Sequence, residues 1–212
     1  MSPLLKLTAM HSPEALIFDL GGVLIDFSAF EDLRPLLRKD MQPEEIRQRW
    51  ISCPHIQLFE IGQLTSREFA ECFVRDWDVT VSPDRFLVEF RSWPRRFVPG
   101  ARSLLRSLRN NYRLAALSNS NATHWDRNVS DLGLLDLFDS AFSSHELGWH
   151  KPDPRIYTEA LKRLGIGANK TVFFDDSLPN VETAKALGMT AFHVNGVSHV
   201  RQRLLELGLS LD

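Results

Sequence analysis

The sequence predicts an α/β fold, a doubly wound parallel sheet with a small helical module inserted near its start. Three observations predict it. Short apolar runs at 15–18, 113–117, 170–174 and 190–194 have strand length, and the first three end in polar residues. Helix-period segments alternate with those runs after Pro99, as βαβ units do. Between them, residues 29–95 lose the strand pattern and carry apolar and aromatic positions at helical spacing. With 212 residues, 43% of them hydrophobic, the chain can bury a core and hold such an insertion.

The first element is Ala15-Leu16-Ile17-Phe18, apolar throughout as a strand buried on both faces is, followed by Asp19 and by Gly21-Gly22, whose backbone freedom permits a sharp reversal. The insertion follows. Phe30 to Arg38 reads as a helix, and Pro43 with Glu44-Glu45 marks a second start. Thr65 with Glu68 forms a capping-box pattern ahead of Phe69, Cys72, Phe73 and Trp77. Ser82-Pro83-Asp84 opens a helix carrying Phe86 and Phe90, with Trp93 beyond, and Pro94 and Pro99 close the segment. About four helices result, a bundle-like lid whose aromatics are mostly its own core, with hinges at 26–29 and 94–99. Arg91, Arg95 and Arg96 near the second hinge form a solvated face or meet a distal substrate charge.

The alternating part begins with a helix over 100–110 and a strand from Arg113 to Leu117, ending at Ser118-Asn119-Ser120-Asn121. A helix over 122–132 and a short strand near 140–142 lead to Lys151-Pro152-Asp153-Pro154, then a helix over 155–164. The strand Lys170 to Phe174 ends at Asp175-Asp176. A helix over 180–187, a strand over 190–194 and a helix over 198–207 complete the chain.

A formal net charge of −2 gives no general attraction to nucleic acid or to an anionic membrane. Two cysteines, Cys53 and Cys72, match neither a metal-site spacing nor a disulfide scaffold and suit a reducing compartment, so a cytoplasmic location is expected. Residues 1–13 read as a leader without signal-peptide character, and Met10 is an alternative start.

Three strands thus end in polar clusters, at Asp19, at Ser118-Asn119 and at Asp175-Asp176, and in a parallel sheet these ends share the edge where ligands bind. Carboxylates gathered there repel one another unless a proton or a cation intervenes, and an all-oxygen donor set suits Mg²⁺, the usual companion of a phosphoryl group. Ser118 and Asn119 can offer a hydroxyl and backbone N–H groups to an anion, Lys151 adds a fixed positive charge, and a carboxylate such as Asp19 can act as nucleophile.

Over nearly its whole length the chain resembles the haloacid dehalogenase-like hydrolases, which have a Rossmann-like core. Phe18-Asp19-Leu20-Gly21-Gly22-Val23-Leu24 is similar to the first motif of that family, Leu117-Ser118-Asn119 to the second, Lys151-Pro152 to the third, and Phe173-Phe174-Asp175-Asp176 with Asn180 to the fourth. The insertion resembles the small helical cap of one subfamily. The resemblance implies a catalytic core over 14–27 and 95–212 and a cap over 28–94. It makes Asp19 the nucleophile, Ser118 and Asn119 the phosphate binders, and Lys151 the stabiliser of an aspartyl-phosphate. Magnesium is then held by Asp19, the Gly21 carbonyl and Asp176, with Asp175 ordering a ligating water and Asn180 supporting Lys151 from behind.

One position departs from the usual family pattern, in which a second Asp, two residues after the nucleophile, serves as acid and base. Here it is Gly21. The leaving alkoxide then takes its proton from water, from His55 or from Asp26, or leaves unaided. The α-D-glucose-1-phosphate phosphatases also read Asp-Leu-Gly here, and an anomeric oxygen is a good enough leaving group to soften the loss. The expected activity is therefore a Mg²⁺-dependent phosphatase of small phosphorylated metabolites such as sugar phosphates, acting as monomer or homodimer on a small-molecule phosphoester. A 2-haloacid dehalogenase-like hydrolase is the alternative, disfavoured by Asp175-Asp176. A catalytically weak pseudo-phosphatase serving as a binding module is the further one.

Overall fold

The computed structural model describes residues 12–211. Most of the expected leader, Met10 included, lies outside the described residues. The chain opens with β1 (Ala15–Phe18) and β2 (Ile25–Phe27), then passes through α1 (Ala29–Leu33), α2 (Pro43–Ile51), α3 (Pro54–Glu60), α4 (Ser66–Asp76) and α5 (Pro83–Arg91). It returns through β3 (Pro94–Phe97) to α6 (Ala101–Leu108), β4 (Arg113–Ser118), α7 (Ala122–Ser130), β5 (Ser140–Ser143) and α8 (Ser144–Leu147). The last elements are α9 (Pro154–Leu164), β6 (Thr171–Asp175), α10 (Leu178–Ala186), β7 (Thr190–His193) and α11 (Gly196–Glu206).

The main sheet has the order β5-β4-β1-β6-β7 with every pair parallel. From β1 the chain builds outward on one side through β4 and β5, then on the other through β6 and β7. The strand order therefore switches beside β1, and a crevice opens at the C-terminal ends of β1, β4 and β6. Side-chain alternation along the strands divides the core in two. Leu16 and Phe18 join Leu114, Ala116, Val172 and Phe174 against α6 and α11, whereas Ala15 and Ile17 join Ala115, Leu117 and Phe173 against α9 and α10.

The insertion has a third apolar cluster of its own. Leu33, Ile46, Phe59, Phe69, Phe73, Phe86, Phe90 and Trp93 are all fully buried in it. Its rings stack closely, Phe59 on Phe69 at 4.4 Å and Phe73 on Phe86 at 4.9 Å between centroids. The capping box at Thr65 and Glu68 forms in both directions. The expected helix from Phe30 to Arg38 is shorter: its α-helical part ends at Leu33 and a 3₁₀ turn covers Arg34–Leu36, because Pro35 removes the N–H that would continue the helical ladder. Among the described residues the insertion carries five α-helices where about four are expected; α3 is the addition, with Pro54 at its start. The expected hinges lie on a short antiparallel ribbon, β2 paired with β3, which joins the insertion to the sheet. Among the described residues no helix is long and apolar enough to cross a membrane.

Candidate active site

Asp19 is the first residue beyond β1, and its N–H donates to the Phe174 carbonyl of the neighbouring strand at 2.9 Å. Three residues later the chain reverses at Gly22, whose φ is +71° and where a Cβ would lie only 2.1 Å from Asp176 Oδ2. A side chain there would displace Asp176, so the glycine brings the fourth-motif carboxylate against the first-motif loop. Asp19, Asp175 and Asp176 each offer an oxygen, and these oxygens lie within 4.8 Å of one another.

Lys151 supplies the countercharge. Its ammonium donates to Asp175 Oδ2 at 2.6 Å and to the Leu117 carbonyl at 2.8 Å, and lies 2.9 Å from Asp19 Oδ1. All three of its donors are thereby used. Asn119 holds the main chain of Lys151 in place: its Oδ1 accepts the Lys151 N–H at 2.7 Å and its Nδ2 donates to the Lys151 carbonyl at 2.9 Å. With its amide spent there, Asn119 can offer an anion its backbone rather than its side chain. Behind the lysine, Asp175 Oδ1 accepts from Asn180 Nδ2 at 2.9 Å and from the Ser177 N–H at 2.8 Å. Asn180 thus supports Lys151 through Asp175.

The electrostatics follow from burial and crowding. Burial pushes the Asp19 carboxyl up to about 7; Lys151 pulls against this, and the neighbouring Asp175 and Asp176 add to it. Burial also opposes the charge on Lys151, but Asp19 and Asp175 together outweigh it and hold the ammonium above its ordinary value. Asp176, more open to solvent, is also raised, by burial and by repulsion from Asp175. One ammonium against three carboxylates leaves an excess of negative charge among hard oxygen donors. That donor set fits a magnesium ion.

The site opens into a cleft of about 620 Å³ whose polar lining includes Asp19, Ser118, Asn119, Lys151 and Asp176. The insertion closes its far side with Trp50, Ile51, Ile56, Gln57 and Glu60. Among the described residues, Trp50 is the aromatic of the insertion that reaches the cleft. A recess of about 90 Å³ continues beside it, lined in part by Gly21, Phe27, Trp50, Glu60, Ser118 and His124.

Neither His55 nor Asp26, the side chains considered as proton donors, lines the cleft. His55 turns outward on α3 to Asp76, 3.1 Å away, while Ile56, Gln57 and Glu60 take the inner face of that helix. Asp26 sits on the ribbon near Arg96, at 3.9 Å. Arg91 and Arg95 do not approach the cleft either: Arg91 pairs with Asp126 and Asp131 of the core, and Arg95 with Asp32. Glu60 went unnoticed in the sequence because α3 itself did.

The model of the haloacid dehalogenase-like hydrolase family matches residues 13–188. Phosphatase MT3486 of Mycobacterium tuberculosis is 28% identical over 214 residues, covering 95% of this chain and 98% of its own. Sesquiterpene phosphatase astK of Aspergillus oryzae is 30% identical over 185 residues, covering 85% and 89%. Among solved structures, the family enzyme bt-2542 of Bacteroides thetaiotaomicron, in complex with magnesium and inorganic phosphate, superposes with a TM-score of 0.74 at 25% identity, covering 85% of this chain and 93% of that one.

Proposed function

Because the chain belongs to the haloacid dehalogenase-like hydrolases, we propose that it is a Mg²⁺-dependent phosphatase of small phosphorylated metabolites, working through an aspartyl-phosphate on Asp19. The observation that carries this reading is the Lys151 ammonium held between Asp19 and Asp175 at the sheet's C-terminal edge. Asp19 presents one oxygen to Lys151, leaving the other to attack phosphorus. Ser118, at the end of the adjacent strand, offers its hydroxyl, and the backbone N–H of Asn119 lies next in the chain; both serve the phosphoryl oxygens. Lys151 balances the charge that builds on those oxygens. It is kept in register by Asn119 in front and by Asp175 with Asn180 behind.

Asp19, the Gly21 carbonyl and Asp176 would hold magnesium, with Asp175 behind them. When bound, the ion neutralises part of the phosphoryl charge and relieves the repulsion among the carboxylates.

The cap determines what the rest of the substrate can be. Polar Gln57 and Glu60 suit a hydroxylated leaving group, and sugar 1-phosphates suit a site without a side chain at Gly21. Trp50, Ile51 and Ile56 also offer an apolar wall, and one relative is named for a sesquiterpene.

The test is phosphate release from a panel of sugar 1-phosphates, sugar 6-phosphates and an isoprenyl monophosphate, with and without Mg²⁺, for the wild type and Asp19→Asn. Magnesium-dependent release abolished by Asp19→Asn is expected, fastest on sugar 1-phosphates. Absence of release from every phosphoester would overturn the reading, and chloride release from a 2-haloacid without magnesium would replace it.

A further inference from the structure

The reaction needs a proton at the departing oxygen, and the first-motif loop does not provide it. Gly21 has ordinary backbone geometry, and a Cβ there would meet nothing nearer than Phe27 Cβ at 4.0 Å. Packing therefore leaves room for a side chain that the sequence does not supply. We infer that Glu60, the last residue of α3, is the general acid and base of this enzyme, delivered from the cap.

Position is the first argument. Glu60 lines both the cleft and its recess, and in both it shares the wall with Gly21, Ser118 and Asn119. The insertion thus contributes a carboxyl-bearing residue to the walls of the same two cavities that the phosphoryl end opens into. The titratable groups that share these two cavities are Asp19, Lys151, Asp176 and His150 in the cleft and His124 in the recess. Asp19, Lys151 and Asp176 belong to the phosphoryl end. His124 is fixed as a neutral ring, with Nε2 on the Phe90 carbonyl at 2.8 Å and Nδ1 beside Asn121 Nδ2 at 3.1 Å, and burial takes it down to about 3. His150 is tied by Nδ1 to the Lys151 carbonyl at 3.1 Å and does not reach the recess beside Gly21.

Anchoring is the second. The Glu60 carbonyl accepts from Ser144 Oγ at 2.6 Å, and the same hydroxyl accepts the Ser120 N–H at 2.9 Å. One hydroxyl thus joins the end of α3 to the loop that carries Ser118 and Asn119. Two residues on, Gly62 packs so closely on α8 that a Cβ would lie 2.3 Å from the His145 carbonyl. The backbone of Glu60 is therefore pinned to the catalytic core although its helix belongs to the cap. The carboxyl itself has no hydrogen-bond or ion-pair partner among the described residues. Burial alone lifts it to about 7, where a carboxyl can both give and take a proton.

The proposal rests on the phosphatase reading above. An Asp19 oxygen bonds to phosphorus as the phosphorus–oxygen ester bond breaks, and its electron pair stays on the leaving oxygen. That oxygen takes the Glu60 proton and departs as the alcohol. The resulting Glu60 carboxylate then accepts a proton from the water that attacks the phosphorus of the aspartyl-phosphate. Inorganic phosphate and free Asp19 are released, and Glu60 is protonated again.

The experiment compares Glu60→Gln with the wild type on two leaving groups, p-nitrophenyl phosphate, which needs no acid, and a phosphate ester of a simple alcohol, which does. The readout is kcat/KM, which covers the steps through phosphorylation of Asp19 and is independent of its hydrolysis. On the alkyl ester the variant is expected to lose roughly 100-fold or more, the range of a general acid, and on the nitrophenyl ester less than about 5-fold. The basic limb of the alkyl-ester pH profile should vanish with it. Retained nitrophenyl turnover doubles as evidence that the variant folds and keeps its α3 anchor. An equal loss on both substrates, or on neither, overturns the proposal, as does a selective loss in His150→Gln but not in Glu60→Gln. A wild type inactive on both esters would instead overturn the phosphatase reading, and this inference with it.

Discussion

Lys151 Nζ lies 2.9 Å from Asp19 Oδ1, and both side chains are almost completely withdrawn from solvent. An ion pair in such surroundings is costly to break, because removing one member leaves the other buried and charged. Lys151→Met would strand Asp19 and Asp175 together. The expected result is a loss of about 3–5 kcal/mol in stability at neutral pH, measured by urea unfolding. Turnover should fall by about 10²–10³, as when a preorganised donor to a developing charge is removed. Lys151→Arg should recover little activity, since a planar guanidinium cannot place one nitrogen against Asp19, Asp175 and the Leu117 carbonyl at once. Full activity in Lys151→Met would remove the lysine from the mechanism.

The three carboxylates within 4.8 Å of one another predict a metal-dependent gain in stability. Magnesium at about 100 times its dissociation constant should stabilise the wild type by ~2.7 kcal/mol. For a chain of this size that is a rise of roughly 5–10 °C in the midpoint of thermal unfolding. Asp176→Asn removes a ligand from the open side of the cluster and should abolish most of the rise. Asp19→Asn should also raise the midpoint without metal: unlike Lys151→Met it strands no charge, since Lys151 keeps Asp175 at 2.6 Å, and it deletes a carboxylate that burial and its two acidic neighbours disfavour as an anion. An undiminished magnesium shift in Asp176→Asn would move the metal elsewhere.

Much of this arrangement is legible in the sequence, for a definite reason. Ala15 to Phe18, Leu114 to Leu117 and Val172 to Phe174 are buried on both faces, so each strand is written as an unbroken apolar run and its end is marked by the first polar residue. Asp19, Ser118-Asn119 and Asp175-Asp176 are those first polar residues or lie beside them. The parts that were not legible depend on contacts distant in the chain. The ribbon of β2 and β3 is too short for a period and exists because residues about seventy positions apart pair. The Asn119 amide is directed to Lys151, 32 residues away, a use no local pattern records. Glu60 looks like any helix-end glutamate until Ser144, 84 residues later, takes its carbonyl.

Gly22 supports a sharper prediction. Its φ of +71° disfavours any L-residue, and an alanine Cβ would also fall 2.1 Å from Asp176 Oδ2. Gly165 has a similar φ of +67° at the end of α9, with nothing within 4 Å of the added carbon. Both alanine variants should lose about 1–2 kcal/mol from backbone strain. Gly22→Ala should in addition weaken magnesium binding at least tenfold by displacing Asp176, while Gly165→Ala keeps wild-type kinetics. Magnesium titrations of activity for the two variants decide this, and equal magnesium requirements would mean that Asp176 tolerates the displacement.

The helical insertion is tied to α7 by a histidine held neutral. His124 on α7 stacks on Phe90 of the cap at 4.0 Å between ring centroids, and its Nε2 lies 2.8 Å from the Phe90 carbonyl. The carbonyl can only accept, so Nε2 carries the hydrogen; Nδ1 then accepts from the Asn121 amide. Burial holds the folded-state pKa at about 3, well below its ordinary 6.5, against the opposing pull of the Phe90 carbonyl. Below pH ~6.5 the unfolded chain takes up a proton that the folded chain refuses. The contribution of His124 is therefore complete above that pH and lost as pH falls toward about 3. Asp19 and Glu60, both raised, act in the opposite sense over part of this range, so the comparison must be between the wild type and His124→Gln, in which those groups cancel. At pH 7 the wild type should be the more stable by about 1–2 kcal/mol, the usual cost of a core substitution. Between pH 6.5 and 4.5 that advantage should shrink by up to ~1.4 kcal/mol per pH unit and then reverse. Urea unfolding at four pH values measures the difference directly. A constant gap would mean that His124 protonates in place, and that the contact between α7 and the cap survives a charged ring.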